Sequence, residues 1–280
     1  MHKIIRGILY CLPHKIAHKM MYKIKYNKRL NLENPKTIDD KLHWMMLNEF
    51  GNKEANLTDK ILVKEYVKNK GLEKIIIKTY DYFEDVRSIN YNKLPQTFVL
   101  KPNNASGQVI VCIDKNTFDT KKANNKMKKW LKQNWAIMHL EYHYKNIKPK
   151  IICEEYIGSN DGELPVDYKF LCFNGEPKCI MLCSSREKEV KYDYYDLNWN
   201  YLEYSKEEYK SHKIHPKPKK LKEMIEISKI LSEGFKMVRV DLYEVNEKVY
   251  FGELTFSPVA GSFYFNNEQS KEELGNYLKL

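Results

Sequence analysis

No acidic residue occurs in this 280-residue chain before Glu33. Ahead of it stand Lys3, Arg6, Lys15, Lys19, Lys23, Lys25, Lys28 and Arg29, so eight of the eleven excess positive charges lie in the first segment. The rest of the chain is only mildly basic, unlike a nucleic-acid-binding face spread over a domain. No apolar run is long enough to span a bilayer. The run Ile8 to Leu12 is short and no small-residue cleavage site follows it, which argues against a signal peptide. The six cysteines (Cys11, Cys112, Cys153, Cys172, Cys179 and Cys183) form no C-x-x-C pair. Most sit in apolar runs, so buried free thiols in a reducing cytoplasm are expected. The P-loop pattern G-x-x-x-x-G-K-[ST] and the zinc-protease pattern H-E-x-x-H are both missing. His139, Glu141 and His143 read H-x-E-x-H with no third ligand, which predicts two surface histidines and no zinc site.

What is present centres on residues 239–258, RVDLYEVNEKVYFGELTFSP. They read as two strands joined at Val245-Asn246-Glu247. Val238, Val240 and Leu242 share one face of the first strand, with Arg239, Asp241 and Tyr243 on the other. Phe251, Glu253 and Thr255 share a face of the second. A turn centred near Glu247 sets Asp241 opposite Glu253 and Arg239 opposite Thr255. Like charges directly across a ladder repel. One reading is a hard divalent cation held by both carboxylates, for which Mg²⁺ is suited. The other is a solvated hairpin face with ordinary surface charges. On repulsion alone, neutralising either carboxylate should leave the metal-free fold as stable or slightly more so.

The remaining pattern is mixed, as its 42% hydrophobic and 13% aromatic content suits a folded core. Ile4, Ile5, Ile8, Leu9 and Leu12, then Ile16, Ala17, Met20, Met21 and Ile24, form two apolar helical stripes broken at Pro13. They suit either an interfacial helix pair on an anionic membrane or helices packed on their own domain. Thr37 is an N-cap candidate, and a helix is expected over residues 58–68. Ile75 to Ile77 and residues 97–102 read as strands. Lys101 precedes the small-residue turn Asn103-Asn104-Ala105-Ser106-Gly107, a weak phosphate-cradle signal. A basic helix is expected over 121–135 and a strand over 150–157. Two strands, 166–173 and 178–183, meet at the hairpin dipeptide Asn174-Gly175. Residues 186–217 read as an irregular connection. An amphipathic helix carries Leu221, Met224, Ile225 and Leu231 and ends at Gly234.

In this order the chain resembles the ATP-grasp superfamily, most closely its TupA-like (teichuronopeptide biosynthesis) branch. The motifs are PKTIDDKLHWM (35–45), TDKILVKEYV (58–67), VLKPNNASGQVIV (99–111), IICEEYI (151–157), DYKFLCFNGEP (167–177), RVDLY (239–243) and FGELTFSP (251–258). The resemblance implies an α+β ATP-grasp fold over residues 58–280. Its small lobe would span about 75–149 and its large lobe about 150–280, after a helical segment 1–57. It further implies that Lys60, Lys101, Ser106 and Gly107 meet the phosphates of ATP. Glu154, Glu155, Tyr156 and Ile157 would form the adenine hinge. Asp167, or Glu163 in its stead, would take the ribose, with Lys169 also in the ATP site. Asp241, Glu253 and Thr255 would hold Mg²⁺, and Arg239 would steady the transferring phosphoryl group. Many relatives carry Asn at the position of Thr255, and Lys64 stands where the branch often has Arg.

The implied reaction is ADP-forming carboxylate–amine ligation through an acyl phosphate. The acceptor implied is a uronic acid of a cell-surface polysaccharide, with an amine as nucleophile and no nucleic acid involved. The expected setting is cytoplasmic, with peripheral contact to the inner leaflet through residues 1–30. A sugar kinase, a glycosyltransferase and a non-catalytic binding module remain alternatives on sequence alone, and oligomeric state is not readable.

Overall fold

The structure is a computed structural model and describes residues 3–158, 162, 164–184 and 189–280. Its helices are α1 (Lys3–Tyr10), α2 (His14–Tyr26), α3 (Ile38–Asn48), α4 (Asn52–Thr58), α5 (Val63–Asn69), α6 (Thr120–Leu131), α7 (Trp135–His139), α8 (Leu221–Ser232) and α9 (Glu268–Tyr277). Two antiparallel sheets carry the site. The smaller joins β1 (Thr79–Phe83), β2 (Phe98–Pro102), β3 (Ile110–Cys112) and β4 (Ile151–Glu154) in the order β1-β4-β2-β3. The larger joins β5 (Asp167–Phe173), β6 (Glu176–Ser184), β7 (Lys191–Tyr195), β8 (Tyr201–Leu202), β9 (Met237–Val245) and β10 (Lys248–Thr255) in the order β10-β9-β5-β6-β7-β8.

The turn chemistry predicted from sequence is present. Asn174 and Gly175 both have positive φ, 51° and 81°, as do Asn246 and Glu247, at 51° and 60°. Two consecutive left-handed residues match the twist of the strands they join. Thr37 caps α3 in a reciprocal capping box with Asp40. Gly234, at φ 78°, follows α8 in the left-handed conformation that ends many helices.

One face of the large sheet packs under α5 and α8, burying Phe170, Val238, Val240, Leu242 and Phe251 against Val63, Val67, Met224 and Leu231. The opposite face packs on α3 and α9 through Leu171, Met181, Leu42 and Leu274. A separate core under the small sheet holds Phe98, Leu100, Met127, Ile151 and Cys153.

Several expectations change. Strand β4 pairs with β1 and β2, so Ile151–Glu154 shares a sheet with Thr79–Phe83 and Phe98–Pro102. Helix α3 buries Ile38, Leu42 and Met45 in the core beneath the large sheet. Residues 73–75 form a 3₁₀ turn, and Ile76 makes a single bridge to Phe251; burial, not strand pairing, explains the isoleucines. The helix expected over 58–68 begins only at Val63, because the Asp59 carboxylate takes the backbone N–H of Ile61. The helix expected over 121–135 is two helices, the second capped by Asn134. Residues 191–202 supply β7 and β8, not an irregular connection.

Candidate active site

The register of β9 and β10 decides the site. Asp241 pairs with Glu253 and Arg239 with Thr255, as the sequence pattern predicts. The hairpin reaches that register by slipping one residue between Phe251 and Glu253. A bulge there puts Phe251 opposite Leu242 and into the core, so Phe251 does not share the face of Glu253. Gly252 stands at the slip, where a Cβ would meet the Asp241 carbonyl oxygen at 3.0 Å and the Tyr243 ring at 3.1 Å.

This face is not solvated: Asp241 is 1% exposed and Arg239 6%. Arg239 forks onto Asp241 through Nε at 2.6 Å and Nη2 at 2.7 Å, and Nη2 also reaches Glu253 at 2.9 Å and Thr255 Oγ1 at 3.0 Å. The Thr255 hydroxyl donates to Glu253 Oε1 at 3.2 Å. Lys169, across the sheet from Asp241, bonds to both Asp167 and Asp241. Lys60 comes from the α4–α5 connection and pairs with Glu253 Oε2 at 2.8 Å. Three carboxylates thus meet three protein cations, and the repulsion between Asp241 and Glu253 is balanced within the chain. Burial pushes Glu253 upward, but Lys60, Arg239 and Lys169 outweigh it and hold it well below the usual carboxylate range.

A cavity of about 210 Å³ opens in front of this cluster. Lys60, Ser106, Arg239, Glu253 and Thr255 line it. The small-residue loop is clasped to the Asp59-Lys60 pair. Lys60 Nζ donates to the Ala105 carbonyl at 2.7 Å, and the buried Asn103 amide donates to Asp59 at 2.8 Å. Gly107 takes φ 69° in the same loop.

Lys101 lines a separate, smaller cavity with Ile77, Val99, Glu155, Tyr156, Ile157 and Tyr243. The side chain of Glu154 holds Lys64 and Lys101, each at 2.5 Å. Burial raises the Glu154 carboxyl, yet Lys101 and Lys64 hold it below its ordinary value. Glu154 is therefore a lysine-positioning residue at the end of β4. The N–H of Glu155 donates to the Lys78 carbonyl at 2.9 Å, and Tyr156 and Ile157 line the cavity. Asp167 lies with Lys169 and Asp241 in the buried cluster, and Glu163 falls outside the described residues.

The sequence pattern misses one residue of this site. Glu141 is 5% exposed and lines the same cavity as Arg239. Its carboxyl accepts from Ser257 Oγ, and burial pushes it up to about 8. The neighbouring His143 is buried against Phe50, so it is not the surface histidine expected; His139 lines the cavity. Among the described residues no cluster of His, Cys, Asp and Glu is set to hold a metal unaided.

The model of the TupA-like ATP-grasp family matches residues 40–279. The chain belongs to the TupA-like ATP-grasp family. No curated protein matches it. Among solved structures it is similar to an L-amino acid ligase from Bacillus licheniformis, at 13% identity and a TM-score of 0.54, over 95% of this chain and 62% of that one. This likeness and the family match establish the α+β ATP-grasp fold. Other matches include D-alanine–D-alanine ligases. That from Bacillus anthracis, complexed with ATP, is 17% identical with a TM-score of 0.42, over 81% of this chain and 69% of that one. That from Helicobacter pylori is 19% identical with a TM-score of 0.40, over 80% and 61%. The chain thus spans between about three fifths and seven tenths of the length of these ligases.

Proposed function

We propose that this protein is an ADP-forming carboxylate–amine ligase. The observation that carries the reading is the buried Arg239–Asp241–Glu253 cluster, which opens on a cavity beside the loop clasped by Lys60. Lys60, Lys101, Ser106 and Gly107 would bind the phosphates, and Lys101 would also help the transfer. The adenine would sit at Tyr156 and Ile157, with Glu154 orienting Lys101 and Lys169 orienting Asp167 and Asp241. The hard oxygen donors of Asp241 and Glu253, with the Thr255 hydroxyl, suit Mg²⁺ arriving with ATP. Bound there, Mg²⁺ would neutralise phosphate charge. Arg239 would hold the acceptor carboxylate and the phosphoryl group as charge develops.

Transfer of the γ-phosphoryl group to a carboxylate gives an acyl phosphate and ADP. Attack by an amine then forms the amide, expels inorganic phosphate and releases the amine proton. The acceptor we propose is a uronic acid unit of a cell-surface polysaccharide. This rests on membership of the TupA-like family. The setting we propose is cytoplasmic, at the inner leaflet. Five of the six cysteines are buried free thiols, which suits a reducing compartment. No helix among the described residues is long and apolar enough to cross a membrane, so the contact would be peripheral.

Hydroxylamine separates this reading from a sugar kinase. With ATP, Mg²⁺ and a panel of uronic acids, the protein should form a hydroxamate and free phosphate, since acyl phosphates react with amines and phosphate esters do not. Arg239→Ala should lose that product more severely than ATP affinity, because the contact strengthens in the transition state. A stable phosphorylated sugar without hydroxamate would replace the ligase with a kinase.

A further inference from the structure

The catalytic cavity does not end at Arg239. A second cavity of about 500 Å³ adjoins it, and the two share Lys25, His139, Ala260 and Tyr264 in their walls. The far wall of the second comes from α1 and α2, which lie ahead of the residues matched by the family model. Three features of this wall coincide.

The first is uncompensated positive charge. Glu33 takes Lys15 and Lys19, and Glu268 takes Lys28. Arg6 and Lys25, which line the second cavity, pair with no carboxylate among the described residues. Arg6 Nε is buried with no hydrogen-bond partner, and Lys25 Nζ rests over the Tyr264 ring at 4.6 Å. Burial lowers His139 to about 4, and Arg6 and Lys25 add to that shift, so the histidine brings no competing cation at neutral pH.

The second is apolar exposure. Ile5, Ile8, Ile16, Met20 and Ile24 are 39–60% exposed on α1 and α2, while Leu9, Ala17 and Met21 of the same helices are buried. Ile5 and Ile24 both form this outer face and line the cavity. A surface helix buries one stripe; a second apolar stripe facing solvent on a cationic helix suits a lipid–water interface.

The third is backbone strain next to the shared wall, which includes Ala260 but not Val259. Val259 and Ala260 have φ of 52° ahead of Gly261 at 78°. A β-branched residue in the left-handed region is an outlier that surrounding structure must enforce, and such residues cluster at ligand sites.

We propose that the second cavity is the acceptor's seat, and that it takes a membrane-borne anionic amphiphile whose phosphate headgroup lies against Arg6 and Lys25. The Arg fork matches a phosphate, and the apolar face sets the cavity mouth at the lipid surface. The acceptor's reacting carboxylate then reaches Arg239 through the wall shared at Lys25 and Tyr264. Only the word acceptor rests on the ligase reading; the binding site stands without it.

The test uses the full chain saturated with Mg²⁺ and a non-hydrolysable ATP analogue. Calorimetry would measure dodecyl phosphate, inorganic phosphate and dodecyl maltoside, each below its micellar concentration. Dodecyl phosphate should bind at least ten times more tightly than either of the others. Arg6→Gln combined with Lys25→Gln should weaken it at least tenfold, with an unchanged circular-dichroism spectrum and a cooperative thermal melt showing that the variant is folded. Ile5→Asp should weaken it as well. Equal binding by the double variant, equal binding of inorganic phosphate, or no binding at all would each overturn the site. A protein that makes hydroxamate but ignores dodecyl phosphate keeps the ligase and loses this cavity. One that binds the amphiphile without making hydroxamate does the reverse.

Discussion

At the scale of residues, the decisive fact is that Asp241 and Glu253 are already paired with cations of the chain. Repulsion across the ladder predicts that removing either charge is harmless or mildly stabilising. The structure reverses the sign. Asp241→Asn strips Lys169 and Arg239 of a buried counter-charge, and breaking a buried pair costs about 3–5 kcal/mol. Asp241→Asn should therefore lower the thermal midpoint without metal, as well as abolish Mg²⁺-dependent ATP turnover. Glu253→Gln, with its site partly open to the cavity, should lose turnover with a smaller drop. A scan of both variants, with and without Mg²⁺, checks the order. Lys101→Ala removes a contact to charged phosphate, for which roughly 1.5–3 kcal/mol of nucleotide affinity is expected. Calorimetry with a non-hydrolysable analogue reads it; unchanged affinity would remove Lys101 from the site. The pairing of the hairpin's charged residues was legible because a strand pattern of period two carries register. Glu141 was not, because a lone acid between histidines has no local pattern. Only the packing of α7 and the 3₁₀ turn after it brings Glu141 to Ser257 and the cavity.

At the scale of elements, turns and caps were legible and edges were not. Asn174-Gly175, Thr37 and Gly234 act through their own backbones, so local sequence suffices. Strand β7, by contrast, reads KYDYY, and its tyrosines and Asp193 hide the apolar alternation that marks a strand. The bulge at Gly252 was also invisible, since a slip of one residue leaves composition unchanged. The seam between α2 and α3 carries a pH prediction. His18 Nδ1 and His43 Nδ1 are 2.7 Å apart, His18 Nε2 reaches the Leu140 carbonyl, and His43 Nε2 reaches Ser262. One ring must accept where the other donates, so the seam needs at least one neutral histidine. Burial lowers His18 to about 4 and His43 well below its ordinary value, with each like-charged neighbour adding to the shift. The unfolded chain takes up these protons near pH 6.5, whereas the folded chain takes up that of His18 only near pH 4 and that of His43 well below its ordinary range, so stability is lost as pH falls from 6.5 towards 4. Hydrogen exchange should show α1 and α2 loosening between pH 6.5 and 4 before the sheets do. Equal protection of these helices across the window would contradict this.

At the scale of the molecule, charge and apolar exposure concentrate on the N-terminal helix pair, while the two sheets hold the chemistry. Co-sedimentation with vesicles containing anionic lipid should be strong at low salt and weaken as salt rises, at about 1 kcal/mol per basic residue near the surface. Ile8→Asp with Met20→Asp should abolish it, and absence of binding at low salt would return α1 and α2 to ordinary packed helices. The placement of that face beside the cavity mouth has a kinetic meaning. A protein held there would meet its acceptor by lateral diffusion in two dimensions. Its output would then follow the number of acceptors per unit area of membrane, and diluting the cell's contents without adding lipid would scarcely change it.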